Sequence, residues 1–135
     1  MLNLITSKTK ACCILVLGFT SFVSQAQFND GCDNEKTTNL SYLRCLDSKI
    51  VLEKRTVEMW TNKILIDLEK KQNETGNLQL LRVFKRAEQE FDKYVEDNCR
   101  WRYLSRLPDT ISAAIAFKRC EVYSVQKHIE ILQLQ

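Results

Sequence analysis

Apolar residues recur at steps of three and four between about residue 38 and residue 71. This spacing places them on one face of an α-helix, which repeats every 3.6 residues. The segment Asn-Glu-Thr-Gly-Asn at 73–77 interrupts the pattern with residues that favour turns. The pattern therefore predicts a long first helix, whose buried face carries Leu43, Leu46, Ile50, Val57, Trp60, Ile64 and Leu68.

A second helical pattern runs from about residue 78 to residue 104 and ends at Arg-Leu-Pro-Asp. A proline and an aspartate at this point are typical of a helix end followed by a new helix start. The expected buried face of the second helix carries Leu80, Phe84, Ala87, Phe91, Tyr94, Asn98 and Trp101.

The third pattern runs from about residue 110 to residue 134, with Asp109 or Thr110 as its N-cap. No segment shows the apolar–polar alternation of a β-strand. Short connections make neighbouring helices antiparallel, so the chain is predicted to be all-α: a long helical hairpin plus a third helix, forming an antiparallel three-helix bundle. The expected buried face of the third helix carries Ile111, Ala114, Ile115, Val122, Val125, Ile129 and Leu132.

The first 26 residues have the pattern of a secretory signal peptide. Lys8 and Lys10 precede an apolar run at 11–23, and Ser24-Gln25-Ala26 places small residues before a cleavage point. The run is too short for a comfortable membrane span. We therefore expect a signal peptide at 1–26, an N-terminal arm at 27–37, one helical domain at 38–135, and a soluble periplasmic or secreted product without stable membrane insertion.

Removing this leader changes the charge of the protein. The full chain carries a formal charge of +3, but both leader charges are lysines, so 18 basic and 17 acidic residues remain. A near-neutral chain without a basic stripe gives no support to binding of nucleic acid or of a membrane surface. The remaining length suits one domain with a modest core.

Four cysteines remain after the leader, at positions 32, 45, 99 and 120. An even count in a small exported chain predicts disulfides. Cys99 and Cys120 are nearly level across the turn at Pro108, which favours Cys99–Cys120 with Cys32–Cys45. The crossed pairing, Cys45–Cys120 with Cys32–Cys99, remains open. A zinc site is disfavoured because there is no C-x-x-C motif and only one histidine, so neither metal nor cofactor is expected.

Little in the chain predicts catalysis. His128, the single histidine, lies near the end of the third helix, where a surface position is expected, and the cysteines are committed to disulfides. A pair of catalytic carboxylates would need a cleft for which three helices leave little room. Glu53 falls on the apolar face of the first helix and is a candidate buried polar residue, bonded to the N-terminal arm or to a tyrosine such as Tyr94. We therefore expect a binding protein and not an enzyme.

The stretch Phe84–Tyr103 combines core positions with five carboxylates, at positions 88, 90, 92, 96 and 97. These acids form either a solvated face or a surface that attracts a cationic partner. Trp, Tyr and Arg dominate binding hot spots, so residues after the acids add possible anchors, although Trp101 also continues the predicted core stripe. The candidate protein-binding residues are Glu88, Asp92, Glu96, Arg100 and Trp101.

These features together resemble the LprI-type lysozyme-inhibitor N-terminal domain family of small exported bacterial helical proteins. Cys32 and Cys45 resemble the early cysteine pair of that family, and the stretch 87–99, Ala-Glu-Gln-Glu-Phe-Asp-Lys-Tyr-Val-Glu-Asp-Asn-Cys, resembles its block ending in cysteine. Cys120 with the short helix after it resembles the closing segment. The similarity covers nearly all of the chain after the leader and rests on spacing and cysteines more than on identities.

The resemblance implies a helical binding protein of the cell envelope that inhibits lysozyme-type muramidases by protein–protein contact. Lysozymes are typically cationic, which suits an acidic surface on the second helix. The alternative is a structural or stress-related envelope protein, or one that neutralises a toxin, with a partner other than lysozyme.

Overall fold

A computed structural model of the chain describes residues 28–32 and 38–134. The predicted signal peptide, residues 27 and 33–37 of the predicted N-terminal arm, and residue 135 lie outside this part of the chain. Across the described residues the chain is helical, with no β-strand. None of the described helices is both long and apolar enough to cross a membrane.

Three helices follow one another along the chain: α1 at Asn39–Thr75, α2 at Gln79–Leu104 and α3 at Thr110–Leu132. The prediction of an all-α three-helix bundle is confirmed. The side chains of Thr38 and Asp109 cap α1 and α3. Each accepts a hydrogen bond from the backbone N–H of the residue three positions later, Ser41 and Ser112. Gly76 ends α1 with a φ of 72°, a left-handed conformation that glycine adopts without a Cβ clash.

The third helix holds the bundle together. It packs along both α1 and α2, whereas α1 and α2 touch each other far less. Lys118 of α3 pairs with Asp47 at 2.6 Å and Gln126 bonds to Glu53, so contacts between α3 and α1 advance in the same direction. Contacts between α3 and α2 run in the opposite order, from the Cys99–Cys120 disulfide to the contact of Glu88 with His128. Thus α1 and α3 run parallel to each other, and α2 runs antiparallel to both. The weak contact between α1 and α2 leaves an opening above α3.

The main core lies at the end of the bundle where α1 begins. Leu46 and Val122 are fully enclosed, with Tyr42 and Ile50 beside them. Phe28 and Cys32 of the N-terminal arm and Ile115 of α3 pack against this cluster. Burial of these side chains is the dominant favourable term in the stability of such a domain.

Two disulfides link the elements: Cys32–Cys45 joins the arm to α1, and Cys99–Cys120 joins α2 to α3. The Cα atoms are 6.0 Å and 5.5 Å apart, within the normal range for a disulfide. The local pairing is therefore confirmed, and the crossed pairing does not occur.

A buried carboxylate ties the arm to two helices. Asp30, only 4% exposed, accepts hydrogen bonds from the hydroxyl of Tyr42 and from the backbone N–H of Cys32. The Nε atom of Arg119 lies 3.0 Å from the Asp30 carboxylate, without the alignment of a hydrogen bond, so this contact is ionic. These partners offset the cost of burying the charge of Asp30.

Alkaline pH is expected to weaken the domain through Tyr42. Burial, followed by the hydrogen bond to Asp30, raises the pKa of Tyr42 from 10.0 to about 12. The folded state therefore holds this proton more tightly than the unfolded chain, so the stabilisation is complete below pH ~10 and is lost as pH rises to ~12. The free energy of unfolding should fall by about 2 kcal/mol across this window.

Urea denaturation of the wild type and of Tyr42→Phe across this pH window measures the effect. The variant should start less stable by about 1–3 kcal/mol, because Asp30 loses a hydrogen-bond donor. It should also show a smaller alkaline loss. An equal alkaline loss in the two proteins would contradict the assignment to Tyr42.

The buried face of α2 differs from the predicted one. Val95 and Cys99 are its buried residues, whereas Tyr94 and Trp101 are 59% and 54% exposed and Ala87 is exposed as well. The prediction that these three belong to the core is wrong. The disulfide to Cys120 requires Cys99 to face α3. The side of α2 that carries Cys99 is therefore buried, and the side that carries Tyr94 and Trp101 is exposed.

The core residues predicted on α3 are buried along most of the helix but not at its start. Val122, Val125, Ile129 and Leu132 are buried as expected. Ile111 is 49% exposed, so its assignment to the core is wrong. It lies in the first turn of α3, directly after the turn from α2, where less of the bundle surrounds it.

Candidate functional site

The opening between α1 and α2 forms a groove with α3 as its floor. Its volume is about 630 Å³, and Phe117 and Val125 of α3, together with Phe91 and Val95 of α2, supply its apolar lining. Five carboxylates surround this lining: Glu58 from α1, Glu88, Asp92 and Glu96 from α2, and Glu121 from α3. We call this feature the acidic groove.

One cation partly neutralises the acidic groove. Lys54, the single basic residue among the described residues of the lining, donates a hydrogen bond of 2.6 Å to Glu121. The remaining acids outnumber it, and Asp92 and Glu96 are exposed. Low-dielectric walls with charges of one sign concentrate the field within a cleft. The groove is therefore a negative concave surface on a protein whose total charge is positive.

The structure brings together three of the five candidate binding residues. Glu88, Asp92 and Glu96 follow one another at four-residue intervals along α2 and all line the acidic groove. Arg100 is exposed but lies outside this lining. Trp101 lines a different groove, between α2 and α3.

A partly buried polar cluster supports one wall of the acidic groove. His128 Nε2 lies 3.0 Å from Glu88 Oε2, and the Thr61 hydroxyl donates to the same oxygen at 3.1 Å. The imidazole stacks on the ring of Phe91, with centroids 3.7 Å apart. The cluster joins all three helices. The predicted surface position of His128 is wrong, because its side chain is 8% exposed.

This cluster does not have the arrangement of an activated nucleophile. The histidine and the threonine both bond to Glu88, so the imidazole does not contact the hydroxyl that a general base would have to deprotonate. Glu88 is held on the groove wall by these two contacts. Its role is therefore partly structural, in contrast to the exposed Asp92 and Glu96.

Glu53 lies on the interface between α1 and α3. Its carboxylate accepts a hydrogen bond of 3.1 Å from Gln126 and pairs with Lys49 at 3.0 Å. Burial favours a higher pKa for Glu53, but the bonds from Gln126 and Lys49 outweigh burial and lower its pKa. Among the described residues the partners are an amide on α3 and the lysine one turn earlier, and not Tyr94 or the described part of the arm.

Side chains able to bind a metal do not assemble in the described part of the chain. Among residues 28–32 and 38–134, no group of three or more His, Cys, Asp or Glu side chains has the proximity that a metal ion requires. The acids of the groove are spread along its walls, so they form a charged surface and not a coordination site.

Comparison with known proteins gives no relative from which a function could be inferred. No family model, curated protein sequence or solved structure matches the chain.

Proposed function

We propose that this chain is an exported helical binding protein of the cell envelope whose acidic groove takes up a cationic segment of a protein partner. Lysozyme-type muramidases are the first partners to test, because the family resemblance suggests them and because lysozymes are typically cationic. The observation that carries the proposal is the grouping of Glu88, Asp92 and Glu96 with acids from α1 and α3 in one groove.

The groove suits a protruding basic side chain. Its apolar floor can pack against the methylene groups of lysine or arginine, while the carboxylates on the walls pair with the charged end. Its field also speeds the approach of a cationic protein, because complementary charges steer diffusion.

Two disulfides in a domain with so small a core support an oxidising compartment. The leader-like segment at 1–26 supports the same location. Both features agree with a partner met outside the cytoplasm.

Inhibition of chicken-type and goose-type lysozymes by the oxidised protein, lacking residues 1–26, tests the proposal. We expect inhibition at low ionic strength that weakens as salt is added, because the Debye length falls from about 30 Å at 0.01 M to about 8 Å at 0.15 M. The assay measures the initial rate of cell-wall lysis at each salt concentration.

Failure to inhibit or bind either enzyme at low salt would rule out lysozyme as the partner. Capture of a different cationic envelope protein through Asp92 and Glu96 would then support the alternative function. Inhibition that is insensitive to salt would contradict the assignment to the acidic groove.

A further inference from the structure

A second groove lies on the other side of Phe91, between α2 and α3. Its volume is about 770 Å³. It is lined by α2 from Phe91 to Arg102, by Ser105 and Arg106 in the turn after α2, and by α3 from Ala116 to Ile131. Phe28 of the N-terminal arm lies beside it, in edge-to-face contact with Tyr123 at a centroid distance of 5.0 Å. We call this feature the aromatic groove.

The charge of the aromatic groove is opposite to that of the acidic groove. Four cations line it, Arg102, Arg106, Arg119 and Lys127, and no carboxylate is among its described lining residues. Arg119 is engaged with Asp30, and Lys127 shares its charge with Glu130 at 2.8 Å. Arg102 and Arg106 are both exposed, so they dominate the charge of the rim.

The aromatic rings at the rim of this groove are exposed, and Trp101 is held in place by its neighbours. Trp101 donates its indole N–H to Asn98 at 3.2 Å, and the guanidinium of Arg102 lies 4.7 Å from its ring centroid. Tyr94 and Tyr123 are also exposed. Enrichment in Trp, Tyr, Phe and Arg with depletion of Asp and Glu is the composition of a protein-binding surface. Fixed aromatic anchors also lower the entropy lost on binding.

We propose that the aromatic groove binds an acidic amphipathic helix of a protein partner. Its walls are two helices whose backbone groups are already bonded internally, so they offer no sheet edge to an extended peptide. A helix satisfies its own backbone and can bury an apolar face against the rings. The lining covers about four helical turns of α3, roughly 20 Å, and a helix laid along it would complete a four-helix arrangement.

The charge of this helix follows from the rim. Glutamates flanking its apolar face would lie near Arg102 and Arg106, where guanidinium groups pair with carboxylates in two parallel hydrogen bonds. The proposal does not depend on the acidic groove, because a cationic partner there and an acidic helix here pair with different charged residues, although Phe91 lines both grooves.

A designed peptide of about four turns, with leucines on one face and glutamates elsewhere, is the direct probe. Trp101 fluorescence in a Trp60→Phe background reports binding, since these are the two tryptophans of the chain. We expect saturable binding that weakens with added salt. The same peptide with lysines in place of glutamates should leave the emission of Trp101 unchanged.

Charge reversal locates the binding. Arg102→Glu with Arg106→Glu should weaken binding of the glutamate peptide about tenfold or more, because two favourable charges become repulsive. Arg82→Glu with Lys85→Glu, an equal change at exposed positions of α2 outside both grooves, should leave binding unchanged. Circular dichroism of both variants checks that the helices remain. The salt series uses the wild-type protein and therefore tests the charge dependence of binding without any substitution.

Three results would overturn the proposal: no saturable binding of the glutamate peptide, binding that survives reversal of Arg102 and Arg106, or equal binding of the lysine peptide. An oligogalacturonate added as a second probe distinguishes a glycan site. If it binds through Arg102 and Arg106 while the peptide does not, the groove recognises an anionic saccharide and the helix assignment is wrong.

Discussion

Replacing Cys99 and Cys120 together by alanine is expected to lower the free energy of unfolding by about 3 kcal/mol or more. The bridge closes a loop with a sequence separation of 21 residues, which restricts the unfolded chain. Cys99 is also fully buried against α3, so the change leaves its surroundings less well packed. A loss of this size is a large fraction of the stability of a small domain.

Equilibrium denaturation of the double variant and of the oxidised wild type measures this loss. The matched comparison is Cys32→Ala with Cys45→Ala, which opens a loop with a separation of 13 residues and frees the arm that carries Asp30. Both variants should lose stability, and the first should lose helix packing between α2 and α3. A loss below about 1 kcal/mol for Cys99→Ala with Cys120→Ala would contradict the role assigned to this bridge.

Leu46→Ala is expected to cost about 3 kcal/mol, the second large effect. The side chain is fully enclosed by Tyr42, Ile50 and Val122, where α1, α3 and the arm meet. Truncation removes buried apolar surface and leaves a cavity that helices joined by disulfides cannot easily close.

Leu52→Ala is the control for this substitution. It makes the same chemical change on the same helix, but Leu52 is exposed, so the expected cost is below about 0.5 kcal/mol. Thermal unfolding of the two variants provides the comparison. Equal losses would show that the core does not lie where Leu46 is.

The helices and their ends follow from local sequence features. Thr38, Gly76 and Asp109 act as helix-end signals through contacts within a few residues of themselves, so their effect does not depend on the tertiary structure. Spacing also favoured the observed disulfide pairing, because the turn at Pro108 brings Cys99 and Cys120 level, but it left the crossed pairing open. The apolar faces of α1 and α3 were long enough to orient both helices.

The face of α2 could not be predicted in the same way. From the sequence, a glutamate is expected on the exposed face of a helix and a tryptophan in the core. In the structure, Glu88 lies partly buried on the groove wall and Trp101 is exposed. The carboxylate of Glu88 is hydrogen-bonded there to His128 and Thr61, which lie 40 and 27 residues away in the sequence on other helices. Periodicity contains no information about such partners.

The acidic groove depends on tertiary packing as well. The acids at positions 88, 90, 92, 96 and 97 form one charged stretch in the sequence, but only those at 88, 92 and 96 line the groove. Which acids line the groove depends on how far apart α1 and α2 lie when both pack on α3, and the sequence pattern does not give this spacing. The buried histidine could have been suspected only from its position between Val125 and Ile129 on the apolar face of α3.

The most direct test of binding in the acidic groove compares two charge reversals on α2. Asp92→Lys with Glu96→Lys changes exposed acids inside the groove, whereas Glu90→Lys with Asp97→Lys makes the same change outside it. Calorimetric titration of a cationic lysozyme at low salt gives the affinity of each protein. We predict about a tenfold or greater loss for the first pair and near wild-type affinity for the second. Equal losses in both pairs, or none in either, would contradict binding through the acidic groove.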